Sequence, residues 1–356
     1  MKLIAGAAAL LIALMTVAGC GGNPAGSQPC HEETNGVYYW KTVFAPDSAE
    51  LAFIDGHDVG RIYLRMFDVT VNPDAGPDKT VPNASVRIDY DTYENLMQDS
   101  LSGKEFVPVV YVTLDALKRM EGDENELAGN IVSRLKNMVS YNGLPNVAEM
   151  QLDCDWTIST EPSYFKLCEE VKNRLKQEEL PWRLSSTIRL HQLRRKAPPV
   201  DCGVLMVYNT GNFDDPDADN SIIDIKDIEP YLKHIPSYAL HLDVAYPTYS
   251  WQLLFRKRQF LGLMNNVDIA DTTAFTRVAP NRYVARRNIP CNNRVIRPGD
   301  MVREEQSAYP GISEVKERIE SKLANRPHSN ILYHLDSKNL SKYSSDEIDN
   351  LYSTAR

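Results

Sequence analysis

Eight short runs rich in Val, Ile, Leu and aromatic residues recur along the chain, at 37–44, 61–69, 106–114, 148–157, 183–193, 203–209, 238–246 and 330–336. Most are a dozen residues or more from the next, too far for tight hairpins, so they are expected to pair in parallel through crossovers. Helical spacing fills two of the gaps. Leu127, Ile131, Leu135, Met138 and Val139 share one face over 125–141, and Phe165, Leu167, Val171 and Leu175 share one over 163–178. Eight such units predict an α/β fold, a closed (β/α)8 barrel of the TIM type. An open doubly wound sheet is the competing architecture. It would carry a Gly-rich phosphate turn after its first strand, where Lys41-Thr42-Val43-Phe44-Ala45-Pro46 stands instead. The polar stretch 265–306, with Arg277, Arg282, Arg286, Arg287, Arg294 and Arg297, is too long for one crossover. It reads as an insertion between strands seven and eight carrying a hairpin, either on the catalytic face or as a solvated surface loop.

The first 19 residues have the form of a lipoprotein signal peptide. Lys2 precedes an apolar run shorter than a membrane span, and Val17-Ala18-Gly19 leads into Cys20. Bacterial lipoproteins of this pattern imply acylated Cys20 as the mature N-terminus, anchored to a membrane in the cell envelope, on its periplasmic side or at the cell surface. Residues 20–36, rich in Gly, Pro, Ser, Asn and Gln, read as a flexible tether, and 37–356 as the barrel domain. Without Lys2 the chain has 38 Lys and Arg against 48 Asp and Glu, a net charge of −10. An acidic body argues against nucleic acid as a partner.

Beyond Cys20, five cysteines remain: Cys30, Cys154, Cys168, Cys202 and Cys291. None forms a short CxxC pair, so neither a cysteine metal centre nor any other cofactor is expected. One or two disulfides are possible, and Cys154 with Cys168 can be a bridge or two buried thiols.

The polar residues concentrate where strands end. Gln151-Leu152-Asp153-Cys154-Asp155-Trp156-Thr157 alternates so that Gln151, Asp153, Asp155 and Thr157 share one face, and a buried ionised carboxylate is costly unless paired. With all C-terminal strand ends together, Asp153, Asp155 and Asp243 become candidate catalytic carboxylates. Trp40, Lys41, Arg65, Asp68, Arg189, His191, Tyr208, Asn209, Tyr246 and Asp336 become candidate carbohydrate-binding residues. Asp is also a common helix N-cap, which serves equally well for Asp115 and Asp336. Glycosidic cleavage needs two carboxyl groups across the scissile bond, about 5 to 5.5 Å apart for retention and roughly 6.5 to 9.5 Å for inversion. Asp155 and Asp243, on non-adjacent strands, are the candidate pair, with Asp153 supporting Asp155.

Two resemblances attach to these residues. Asp153-Cys154-Asp155-Trp156-Thr157, with Met206-Val207-Tyr208-Asn209, resembles the DxDxE and MxYD motifs of chitinase-type glycosidases. Thr157 stands where that pattern has its acid Glu, and Asn209 where it has its last Asp. More broadly, VYYWKTVF (37–44), RIYLRMFDV (61–69), QLDCDWTIST (151–160), STIRLHQL (186–193), PPVDCGVLMVYNTGNF (198–213) and LDVAYPTYSWQLLFR (242–256) are similar to an uncharacterised bacterial lipoprotein family, domain of unknown function 3142. That resemblance implies a glycosidase-like barrel with no assigned reaction. Two functions stay open, a lipid-anchored glycoside hydrolase and a non-catalytic barrel that binds a glycan or protein at the same face. Cys20→Ala is expected to move the chain from the membrane to the soluble fraction, since loss of every acyl chain removes the anchor. Unchanged fractionation would sink the lipobox reading.

Overall fold

Period-two alternation sends Tyr38, Tyr63, Val107, Val109, Val204, Met206, Ala245 and Ile331 to one side of their strands, where they pack on one another. In the computed structural model these strands form a closed barrel around that cluster. The structure describes residues 30–354 apart from 74–78, 90, 93, 95–100, 265–266, 292–293 and 325. Cys20 and the leader lie outside the described residues.

The eight barrel strands are Asn35–Tyr39, Val59–Val71, Glu105–Val112, Glu149–Asp153, Arg183–Arg189, Cys202–Met206, Leu242–Pro247 and Asn330–Tyr333. All pair in parallel, and the first pairs with both the second and the eighth, which closes the ring. Outward residues such as Leu152, Leu205, Val244 and Leu332 join the larger core shared with the helices. Helix Glu161–Gln177 shows why. Its Pro lies in the first turn, where a missing N–H costs nothing, and Tyr164, Leu167, Cys168, Val171 and Leu175 form the buried stripe. Each such side chain contributes on the order of 1.5–3 kcal/mol by leaving water. Cys154 and Cys168 remain separate buried thiols. Strand five is followed only by the 3₁₀ turn Leu190–Arg194.

The insertion after strand seven is larger than its sequence suggests. Strands Ser250–Arg256, Gln259–Met264, Phe275–Ala279, Arg282–Ala285 and Met301–Gln306 make a five-stranded antiparallel sheet with its own core of Leu254, Met264, Phe275, Ile296 and Val302. It begins at Ser250, well before residue 265. Lys257 and Arg258 both have positive φ, 49° and 68°, as a two-residue type I′ hairpin requires. A Lys-Arg turn lacks the Asn-Gly or Asp-Gly signature of that geometry. The expected hairpin is a separate pair, Ile289–Cys291 with Arg294–Ile296.

The described part of the expected tether is not free. Cys30 is disulfide-bonded to Cys202, His31 Nε2 lies 2.9 Å from Asp243 Oδ2, and Asn35 and Gly36 already belong to strand one. The segment from residue 30 therefore plugs the N-terminal end of the barrel. A disulfide between residues 172 apart removes loop entropy worth roughly 5 kcal/mol from the unfolded chain. Denaturant unfolding with and without reductant is expected to show a loss of that order. An unchanged midpoint would mean that the bond does not hold the folded chain.

Candidate functional site

Strands four and five deliver their last inward residues side by side at the C-terminal end of the barrel. Asp153 ends strand four almost fully buried, and its Oδ1 accepts hydrogen bonds from Thr187 Oγ1 (2.6 Å) and Arg189 Nη2 (3.1 Å). Asp155, two residues on and on the same face, is half exposed and accepts from Nε of the same Arg189. One guanidinium thus spans both carboxylates and lies 5.6 Å over the Tyr208 ring. Burial raises the Asp153 pKa most, the Arg189 charge pulls it down, and Asp155 pushes it up again. The net direction is upward.

Tyr208 stacks on Tyr333 with ring centres 4.5 Å apart, and Tyr249 meets both edge-on. Tyr249 Oη donates to Asn209 Oδ1 at 2.6 Å, holding Asn209 in its left-handed conformation (φ 53°). Tyr208 and Asn209 border a cavity of about 330 Å³ that also touches Asp155, Arg189, His191, Thr210, Phe213 and Tyr231, with Tyr249 and Tyr333 packed behind Tyr208. A cavity of this size with aromatic walls and a few fixed polar groups suits a small polar ligand. Trp40 continues the aromatic rim beside Tyr38 and Tyr333, with the Arg65 guanidinium 5.2 Å over its ring. Arg65 also donates through two nitrogens to Asp68, at a register shift in strand two.

Asp153, Asp155, Arg189, His191, Tyr208 and Asn209 therefore converge, and Trp40, Arg65 and Asp68 lie on the same end. Four expected residues do not join them. Asp243 is the second residue of strand seven, at the opposite end of the barrel, where it contacts His31, His241 and the Ser329 N–H. His31 also stands beside Glu149, which begins strand four. Four residues of strand, about 13 Å at ~3.3 Å each, separate that end from Asp153. Asp243 thus cannot pair with Asp155 across a bond. Tyr246 has the parity opposite to Asp243 and Ala245, and it is buried in the sheet–helix core. Asp336 caps helix Ser337–Leu340 through the Asn339 N–H (3.0 Å), the alternative weighed above. Lys41 is committed to Glu50 and Asp336. Thr157, in the position of the missing acid, lies 3.0 Å from Ser159 through its hydroxyl, in the turn before helix Glu161–Gln177. Thr187 and Tyr333 were missed. Both were accessible by parity, as the inward partners of Ser185 and Arg189 and of Ile331.

No protein-family profile and no curated protein matches this sequence. Solved structures do match in shape. The family 18 chitinase ChiB of Flavobacterium johnsoniae superposes with a TM-score of 0.52 at 11% identity, covering 90% of this chain and 94% of that one. A chitinase from Chromobacterium violaceum gives 0.50 at 11% identity over 87% and 98%. The spore cortex-lytic enzyme SleL of Bacillus cereus gives 0.50 at 13% over 90% and 74%. At such identities the likeness establishes the barrel fold.

The Asp153–Arg189 pairing makes a pH test. Asp153 holds its proton to higher pH when folded than when unfolded, so its ionisation removes stability as pH rises above its ordinary value of 3.8. Removing Arg189 enlarges that loss, because a buried carboxylate without its cation is strongly unfavourable. Arg189→Met is therefore expected to lose on the order of 3 kcal/mol at neutral pH and less near pH 4. Arg189→Met with Asp153→Asn should recover most of it. Equal losses at both pH values, measured by denaturant unfolding, would show that the pair is not what Arg189 stabilises.

Proposed function

We propose that this chain is a carbohydrate-binding barrel of glycosidase-like architecture, which holds a glycan at the C-terminal face without cleaving it by the two-carboxylate route. One observation carries the reading: the two carboxylates at this end are two residues apart, at and just past the end of one strand, bridged by one arginine. The two-carboxylate route needs carboxyls on opposite sides of the scissile bond, one of them protonated. Asp153 and Asp155 sit on the same side, both bonded to Arg189. Thr157 offers no acid. The aromatic wall of Tyr208, Phe213 and Tyr231, with Asp155 and Asn209 as polar partners, suits stacking on sugar rings and bonding to their hydroxyls. The shared fold with proteins named as chitinases agrees with such a ligand.

The same proposal includes export and a lipid anchor on Cys20, in an envelope lipoprotein of the uncharacterised family named above. The Cys30–Cys202 disulfide supports an oxidising compartment. No helix among the described residues is long and apolar enough to cross a membrane.

A glycan panel scored for both binding and release of reducing ends decides the matter. Binding without release is expected, with affinity falling at least tenfold in Asp155→Ala while the melting temperature holds. Release of sugar by the wild type that Asp155→Asn abolishes would establish a hydrolase instead. Failure to bind any glycan would overturn both.

A further inference from the structure

The plug at the N-terminal end of the barrel gathers more ligating side chains than a disulfide needs. Ligand atoms of Cys30, His31 and His241 lie within 4.8 Å of one another, and so do those of His31, Glu149 and Cys202. His241, Asp243, Glu149 and Cys202 are almost fully buried. Asp243 reaches both rings, His31 Nε2 at 2.9 Å and His241 Nε2 at 3.3 Å. A carboxylate that takes one N–H of an imidazole fixes the tautomer and leaves the other nitrogen as a donor, the outer shell of many zinc histidines. Arg61 Nη1 lies 3.2 Å from His31 Nδ1 and 3.4 Å from its Nε2, so in the oxidised chain it occupies the nitrogen that Asp243 leaves, and metal entry requires Nη1 to turn away while Glu105 holds the guanidinium through two hydrogen bonds of 2.9 and 3.0 Å.

We propose that the reduced plug is a zinc site, with Cys30, Cys202, His31 and His241 as ligands and Asp243 orienting both histidines. In the oxidised chain the two sulfurs bond each other and the site is closed to metal. A dithiol or phosphine reductant supplies two electrons, two protons are taken up, and two thiols form. Zn²⁺ then displaces the two thiol protons and binds both thiolates, with sulfur at about 2.3 Å and nitrogen at about 2.0–2.1 Å. Metal and disulfide are therefore alternative closures of one loop. Spacing within the sequence hides the site, because its two cysteines are 172 residues apart.

The purified chain is reduced with a phosphine under argon, freed of reductant and dialysed against Zn²⁺, beside an untreated oxidised sample. One Zn²⁺ per reduced chain and background metal in the oxidised chain are expected by elemental analysis. Co²⁺ in place of Zn²⁺ should give thiolate-to-cobalt charge-transfer absorption. Both signals should vanish in Cys30→Ser with Cys202→Ser. Affinity should fall at least tenfold in His241→Ala, which keeps both cysteines and whose oxidised form serves as the folding control. A reduced wild-type chain that takes no metal, folded or not, overturns the proposal. So does metal retained by the double serine variant, which would assign it to the other thiols, or equal binding by the oxidised chain.

Discussion

Arg189 is the charge around which the cavity is organised. Asp153 is buried to a degree that an isolated carboxylate would not tolerate, and the bond from Thr187 alone does not offset that desolvation. The guanidinium compensates, and its planar fork lets a second nitrogen reach Asp155 at the mouth of the cavity. Because Tyr208 lies against the same cation, the aromatic wall is positioned by the ion pair as well as by packing. A change at Arg189 therefore alters acid strength, ring orientation and cavity shape together. This coupling also bears on ligand binding, since a carboxylate fixed by a cation at the mouth of the cavity is a well-placed acceptor for hydroxyl groups.

Polar residues inside a parallel barrel have two places to go, and this chain uses both. Glu149, Gln151, Asp153 and Asp155 share one parity, yet the first faces the His31–Asp243 cluster and the last faces the cavity. Between them Gln151 accepts from Tyr38 Oη at 2.6 Å and donates to Ser185 Oγ at 3.2 Å, a hydrogen-bonded layer in an otherwise apolar interior. The C-terminal end is open and aromatic, whereas the N-terminal end is sealed by a disulfide and ion pairs. The cavity that suits a glycan lies at the first. The second contributes stability by tying residue 30 to strands six and seven.

What the sequence made legible follows from this geometry. Eight runs and two amphipathic helices were enough for the barrel, because parallel strands with long connections have few ways to close. Strand parity also identified Asp153, Asp155, Arg189 and Tyr208 together. It failed where direction along the strand mattered. Asp243 has the inward parity, but the apolar run begins at Tyr238 whereas the strand starts at Leu242, so a residue late in the run is early in the strand. The eighth run extends through Asp336, which favours Asp336 over Tyr333, although pairing ends at Tyr333. The plug was illegible for another reason. Gly, Pro and Ser give residues 21–29 the composition of a tether, and nothing local to Cys30 and His31 announces partners some 170 and 210 residues away.

The insertion explains how a long loop can form one wall of a cavity. Residues 210–224, after strand six, include Phe213 and contain no regular element except a helix N-cap at Asp224. Free chain of that length would blur the wall. The antiparallel sheet prevents this through buried Arg303, which donates to the carbonyls of Phe213 (3.1 Å) and Asp215 and lies 2.7 Å from Glu305. Glu305 in turn accepts from Ser221 N (2.9 Å), Ser221 Oγ (2.6 Å) and Trp251 Nε1 (2.7 Å). Arg282 adds bonds to the carbonyls of Asp217 and Ala218, and Phe260 packs against Phe213. Backbone carbonyls of an irregular loop need donors when covered, and here a neighbouring sheet supplies them. The arginines at 282 and 303 are thus not surface charge. They convert an irregular crossover into a fixed wall, so the shape of the cavity depends on a sheet whose own core lies outside the barrel.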